Sequence, residues 1–353
     1  MIQVGDDPRW LDSLEDLARE RLSPPVFEYV AHGARDGIAA RRALESWQEV
    51  QLHPHVLRDV TDVHLGVELL GAALDVPWGI APTTLQRTVH PDGELAMARA
   101  TTAAGGLMVV SSNAGTPFAA IGATGVTWWV QAYLPSDRKL AVPMLERAVA
   151  AGASAVVLTV DTPVVGMKYV ADRPVWDVVD PAQLRVNFDP GYDDLPGSEK
   201  ALDLGPHDVA WLGEHTGLPV VVKGVLRGDD ARRCVQAGAR AVWVSHHGGR
   251  QLDRAVAPAR SLAGVRTAVA GEAEVYVDGG VRSGMDVATG LALGADAVFL
   301  GRLPLYALVD GEQGVARMHA ELLAQTVETL RLCGSRSVAD TRDLAVDCGS
   351  HPF

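Results

Sequence analysis

A chain of 353 residues, 48% hydrophobic and 21% charged, has the make-up of a folded protein rather than a disordered one. It is long enough for one large domain or two ordinary ones. A formal charge of −13 argues against nucleic acid as the main partner, because a phosphate-tracking surface needs excess Lys and Arg; a small anion in a local cationic pocket stays open.

The N-terminal stretch, "MIQVGDDPRWLDSLEDLARE", carries acids where a signal peptide needs an apolar core, and no run is apolar for long enough to span a bilayer. Cys234, Cys333 and Cys348 are too scattered for a disulfide framework or a zinc knuckle, so a reducing cytoplasm is the expected compartment. Residues 1 to about 75 begin helical ("DSLEDLARERL", "PPVFEYVAHGA") and then turn irregular. They are expected to cap the same domain that residues 76–353 build.

From there eight β-rich runs follow: "WGIAP" (78–82), "LMVVSS" (107–112), "WWVQAY" (128–133), "AVVLTVD" (155–161), "PVVVKGV" (219–225), "AVWVSHH" (241–247), "EVYVDGG" (274–280) and "AVFLGR" (297–302). Ala-rich amphipathic segments separate most of them. Continuous apolar strands alternating with helices imply a parallel sheet covered by helices. Eight such units in this length predict a closed (β/α)8 TIM barrel. An open doubly wound sheet is the alternative, but no G-x-G-x-x-G follows the first strand. The segment from about 164 to 210, rich in Asp, Pro and Gly, reads as a lid inserted after the fourth strand.

Polar side chains gather where a barrel keeps its active site, at the carboxyl ends of the strands. They are Gln131, Tyr133, Thr159, Asp161, Lys223, Ser245, His247, Asp278 and Arg302. Each alone has an ordinary explanation: Asp161 could cap a helix, Lys223 could snorkel, Tyr133 could be core. Together they are harder to dismiss, since burying each unpaired costs roughly 1–3 kcal/mol. "DGGVRSG" (278–284) and "GR" (301–302) then add glycine amides, Arg282, Arg302 and a helix N-terminus after the last two strands, the usual phosphate pocket of this barrel. "VSHHGGRQLD" (244–253) raises a choice between two adjacent histidines. Successive strand residues face opposite ways, so at most one of His246 and His247 is expected to work.

These strings, with "IAPTTLQRTVHPDGELAMARA", "TVDTP" and "VVKGV", resemble the FMN-dependent 2-hydroxy acid oxidase and dehydrogenase family, which includes glycolate oxidase, lactate oxidase and mandelate dehydrogenase. The resemblance covers nearly the whole chain. It implies that His247 is the base, with His246 at a position usually held by Asn and facing away. It implies FMN at the barrel mouth, its phosphate on Gly280, Arg282, Gly301 and Arg302 with Asp278 and Gly279 nearby. Its ring would meet Pro82, Thr83, Thr84, Ser111, Gln131, Thr159, Lys223 and Ser245. In that scheme Lys223 offsets negative charge on the reduced flavin, Asp161 orients His247, Arg250 grips the substrate carboxylate, and Tyr133 bonds near its hydroxyl. His247 takes the hydroxyl proton as hydride passes to flavin N5, or takes the α-proton.

The departures fall around the substrate. A carboxylate-binding tyrosine of the relatives corresponds to Phe27, and the arginine after "TVDTP" is matched by Lys168 or, one residue out of step, by Arg173. Thr84 stands for a small residue and Asn113 for a Trp. The expectation is an FMN enzyme oxidising a bulky, mandelate-like 2-hydroxy acid, with oxygen or another electron acceptor closing the cycle and a homo-oligomer, a tetramer by resemblance. Amine oxidation or oxidative decarboxylation on the same scaffold is the alternative, and an inactive phosphate-binding barrel a third.

Overall fold

The computed structural model describes residues 7–169 and 174–346. Eight short parallel strands close into a barrel: β1 (Trp78–Ile80), β2 (Leu107–Ser111), β3 (Thr127–Ala132), β4 (Val156–Thr159), β5 (Val220–Val225), β6 (Ala241–Val244), β7 (Glu274–Val277) and β8 (Ala297–Leu300). Closure runs through β8 and β1, with Val298 opposite Trp78 and Leu300 opposite Ile80. The (β/α)8 TIM barrel is therefore the fold. Every strand lies on one of the eight apolar runs, but most stop short of the run's polar end, which leaves the ladder to enter a loop.

The runs read as continuously apolar because each strand is buried on both faces. Trp128 points outward against Phe118 at 5.5 Å between ring centroids, while its neighbour Trp129 points inward. Inside, Trp129, Trp243, Tyr276 and Phe299 fill the barrel, with Trp243 and Phe299 only 4.0 Å apart. The barrel is thus a packed core and not a pore.

The amino end of the barrel is plugged by a hairpin, Val67–Leu69 paired antiparallel with Ala72–Leu74, whose Leu69 and Leu74 join that interior cluster. The Leu70 amide donates to the Glu274 carboxylate at 2.9 Å. This stretch was expected to be irregular. Its turn residues Leu70 (φ 48°) and Gly71 (φ 86°) both take positive φ, as a two-residue hairpin demands, but "LG" lacks the Asn-Gly or Asp-Gly signature that announces one.

Three helices precede the hairpin: α1 (Trp10–Arg21), α2 (Pro24–Ala31) and α3 (Ile38–Gln48). α2 has Pro at its first turn and buries Val26, Phe27 and Val30 on one face. After α3, Gln51–Leu52 pairs with Ala345–Val346 from the far end of the chain. The segment after β4 forms three short 3-10 turns, Val175–Asp177, Pro181–Gln183 and Tyr192–Asp194, before a helix begins at Pro206. Buried Asn187 pins it: its Oδ1 accepts from the Phe118 amide at 2.9 Å and its Nδ2 donates to the Thr116 carbonyl at 3.1 Å.

Candidate active site

A cavity of about 870 Å³ opens at the carboxyl ends of the strands, within the size range of small-molecule sites. Its wall takes in most of the residues singled out from the sequence: Pro82, Thr83, Thr84, Ser111, Asn113, Gln131, Tyr133, Thr159, Lys168, Lys223, His247, Arg250, Asp278, Gly279, Gly280, Arg282, Gly301 and Arg302. Ser245 and Asp161 stand one layer behind. Arg173 lies outside the described residues.

The two histidines are separated by a turn, not by strand alternation. β6 ends at Val244, and His247–Gly249 form a single 3-10 turn with His246 as its N-cap. His246 is buried, and its Nδ1 accepts from the Gly249 amide at 3.2 Å. Burial pulls its pKa down to about 4, so the ring is neutral with its proton on Nε2. His247, at a left-handed φ of 59°, turns the other way into the cavity. The turn needs Gly249: a Cβ there, at φ 72°, would sit 2.3 Å from the Ala40 amide of α3.

His247 Nδ1 lies 2.8 Å from Asp161 Oδ1, and Thr162 Oγ1 donates to the same carboxylate oxygen at 3.0 Å. Burial would raise the Asp161 carboxyl, but His247, Lys223 and Thr162 more than offset it and hold it at about 2. Burial, with help from Lys223 and Arg250, keeps His247 below its usual value despite Asp161. The resting imidazole is therefore neutral, donating through Nδ1 and offering the Nε2 lone pair. Gly224 makes room for this pair, since a Cβ at its φ of 112° would meet Asp161 at 2.6 Å. Burial and the nearby Asp161 carboxylate push the Tyr133 phenol well up, keeping it a donor.

Arginines define one side. Arg250 Nη1 donates to the Tyr29 and His32 carbonyls at 2.6 and 3.0 Å, and its guanidinium lies 4.9 Å over the Tyr29 ring. Its Nε and Nη2 make no hydrogen bond among the described residues and remain for a ligand. Arg302 is different. Its three nitrogens donate to the carbonyls of Val30, Gly248 and His32, so it ties α2 to the histidine turn as well as lining the cavity. Lys168 Nζ reaches the Gly166 carbonyl at 3.1 Å; burial, together with Arg250 and Arg302, brings its pKa down to about 8.

Phe27 does not line the cavity. α2 turns it inward, 8% exposed, stacked on Tyr306 at 6.4 Å between centroids with Arg19 at 4.9 Å above it. Glu28, Tyr29 and Val30 form the wall instead. The substrate role expected of Phe27 is corrected by this helical phase. Thr162, Tyr29 and, from the inserted segment, Trp176, Arg185 and Lys200 were not foreseen. Thr162 stood in "TVDTP" and Tyr29 in the helical "PPVFEYVAHGA", two residues beyond Phe27; the other three come from a stretch without periodicity.

The comparisons with known proteins agree with this geometry. A match to the FMN-dependent dehydrogenase family spans residues 18–347. The chain belongs to that family. It is 37% identical to glycolate oxidase 3 of Arabidopsis thaliana, over 92% of each chain. It is 38% identical to 4-hydroxymandelate oxidase of Amycolatopsis orientalis, over 96% of this chain and 98% of that one. A structure of mandelate oxidase with benzoyl-formic acid superposes with a TM-score of 0.87 at 36% identity, covering 95% of this chain and 98% of that one.

As a member of the FMN-dependent dehydrogenases the protein is an oxidoreductase with FMN as cofactor, and the cavity fits that group. Gln131 Nε2, Thr159 Oγ1 and Asp278 Oδ1 are buried with no partner among the described residues. Leaving such atoms unmet costs roughly 1–3 kcal/mol each, and a flat heterocycle with polar edges would meet them. Lys223, buried, donates to Ser245 Oγ at 2.7 Å and pairs with Asp278 at 3.0 Å, a fixed positive charge beside those atoms. On the side expected to hold the phosphate, Gly301 faces open space and Arg282 lines the wall, its Nη1 donating to the Val281 carbonyl at 3.1 Å.

Proposed function

We propose that this family member oxidises a 2-hydroxy acid with a bulky, aromatic side chain to the 2-oxo acid. The observation that carries the reading is a neutral, Asp161-bonded His247 in the same wall as the open edge of Arg250, with the apolar side chains of Val165, Trp176 and Leu184 lining the same cavity. Arg250, with Lys168 beside it, would hold the carboxylate. His247 Nε2 would accept the proton of the α-hydroxyl, and the Asp161 carboxylate would stabilise the imidazolium so formed. Tyr133, kept protonated, would donate to the substrate oxygen. Val165, Trp176 and Leu184 of the inserted segment, with Tyr29, supply an apolar wall for the side chain. Bound FMN, held by Gln131, Thr159, Lys223, Arg282 and Gly301, supplies the two-electron acceptor for the α-carbon.

The two oxidases named above act, by their names, on acids of very different size at nearly equal identity, so the apolar wall and not similarity supports the aromatic choice. The test is anaerobic loss of flavin absorbance in the holoenzyme with glycolate, lactate, mandelate and 2-phenylglycine. Mandelate is expected to give the highest second-order rate constant. Glycolate as the best reductant would overturn the aromatic reading, and 2-phenylglycine as the best would replace alcohol oxidation with amine oxidation.

A further inference from the structure

Three polar atoms meet behind the His247 ring. Thr162 Oγ1 lies 3.0 Å from Asp161 Oδ1 and 3.2 Å from His247 Nδ1, which is itself 2.8 Å from that same carboxylate oxygen. Asp161 Oδ2 is buried with no partner among the described residues, so both contacts fall on Oδ1. Thr162 is buried as well, just beyond the end of β4, and the Pro163 that follows disfavours a helical backbone there.

The protons of this triangle follow from charge and distance. The Nδ1 proton has a charged oxygen at 2.8 Å and a neutral hydroxyl at 3.2 Å as acceptors, and the nearer, charged one takes it. The Thr162 hydroxyl is left to donate. Its proton goes to the Asp161 carboxylate rather than to the neutral Tyr133 phenol beside it. A second donor on that oxygen weakens the first. The imidazolium formed when His247 takes a proton is stabilised by negative charge on Oδ1, and the Thr162 bond withdraws part of that charge. The other groups facing the pair are Lys223 on β5 and Arg250 after the histidine turn, with Lys200 of the inserted segment and Tyr133 on the side of Asp161. Removing the Thr162 hydroxyl leaves those three cations as they are.

We infer that Thr162 is a positioning residue that keeps His247 a weaker base, by donating its hydroxyl proton to the carboxylate oxygen that the imidazole uses. This rests on His247 being the base of the 2-hydroxy acid reading. A weaker base stays neutral further into the acid range, and the imidazolium formed in the reaction gives up its proton more readily before the next turnover.

The experiment follows the acid limb of flavin reduction by mandelate in the holoenzyme. In parallel it titrates His247 by NMR in protein carrying isotope-labelled histidine, with the resonance identified by its loss in His247→Gln. Thr162→Val keeps the branched shape without the hydroxyl, and should raise both the limb and the imidazole titration by about half to one pH unit, the worth of one hydrogen bond. Thr162→Ala should do the same, and Thr162→Ser should stay near wild type. In the Asp161→Asn background Thr162→Val should move neither, because the hydroxyl no longer has a charge to draw on. A purely structural Thr162 predicts the opposite sign, since a loosened Asp161 supports the imidazolium less. A limb or titration that stays put or falls in Thr162→Val overturns the inference, and so does a shift that persists in Asp161→Asn. Loss of bound flavin in both hydroxyl-free variants would make Thr162 structural and overturn it too. No bleaching of the wild type by any 2-hydroxy acid would sink the 2-hydroxy acid reading, while the NMR titration still decides the role of Thr162.

Discussion

Replacing Asp161 with Asn tests whether the carboxylate tunes the base or only props it up. The amide keeps the size of the side chain and can still accept from His247 Nδ1, 2.8 Å away, so geometry is largely preserved. What goes is the charge. A hydrogen bond to a charged group contributes about 1.5–3 kcal/mol, and this one strengthens as the imidazolium forms. At about 1.4 kcal/mol per tenfold, the first-order rate of flavin reduction should fall by about 10- to 150-fold. The same change has a sign in pH. Burial, Lys223 and Arg250 already lower the His247 pKa, and Asp161 is the group that raises it. Without Asp161 the pKa drops further, and because the neutral form is the working one, the acid limb of the rate profile should move to lower pH. Anaerobic stopped-flow bleaching across the acid range reads both quantities. An unchanged rate, or an acid limb that stays put or moves up, would refute the assignment of Asp161 as the partner of the developing charge.

Arg250→Lys should lower kcat/KM tenfold or more for every carboxylate substrate, because a point charge replaces a planar fork that also anchors α2 through the Tyr29 and His32 carbonyls. Equal kinetics for the two enzymes would remove Arg250 from the carboxylate site. Stability should also depend on pH. Buried His246 and His319 both sit at about 4, below the usual 6.5, so the unfolded chain binds the extra protons as pH falls from about 6.5 to about 4. Stability is then full above that window and declines through it, by up to roughly 1.4 kcal/mol per pH unit for each histidine. His246→Asn should flatten the decline in urea unfolding measured at several pH values, and an unchanged slope would exclude His246 as a contributor.

The barrel was legible because its strands are buried twice over; alternation such as Trp128 outward and Trp129 inward leaves no polar gap in the run. The strand-end polar set was legible for the opposite reason, as polar residues closing apolar runs. Phe27 was misplaced because the match gives a position along α2 but not which face of that helix meets the barrel mouth; Tyr29, two residues on, reaches the cavity. Lys200 left no trace in the sequence, since its position depends on Ser136 and Ala201 pairing across the inserted segment. The plug hairpin was hidden by a turn without the usual dipeptide.

The wall formed by α2 is tied down by residues that arrive much later in synthesis. Tyr29 is held by Arg250, 221 positions downstream, and Val30 by Arg302, 272 positions downstream. β8, the last strand, must also find β1 before the ring closes. On the ribosome, then, a nascent chain that has emerged as far as β7 has neither a sealed barrel nor a finished cavity wall. Contacts of such separation form slowly, because loop entropy is lost before they reward it. The cavity wall that would receive FMN therefore needs both ends of the sequence, and it is complete only when nearly all of the barrel is free to fold.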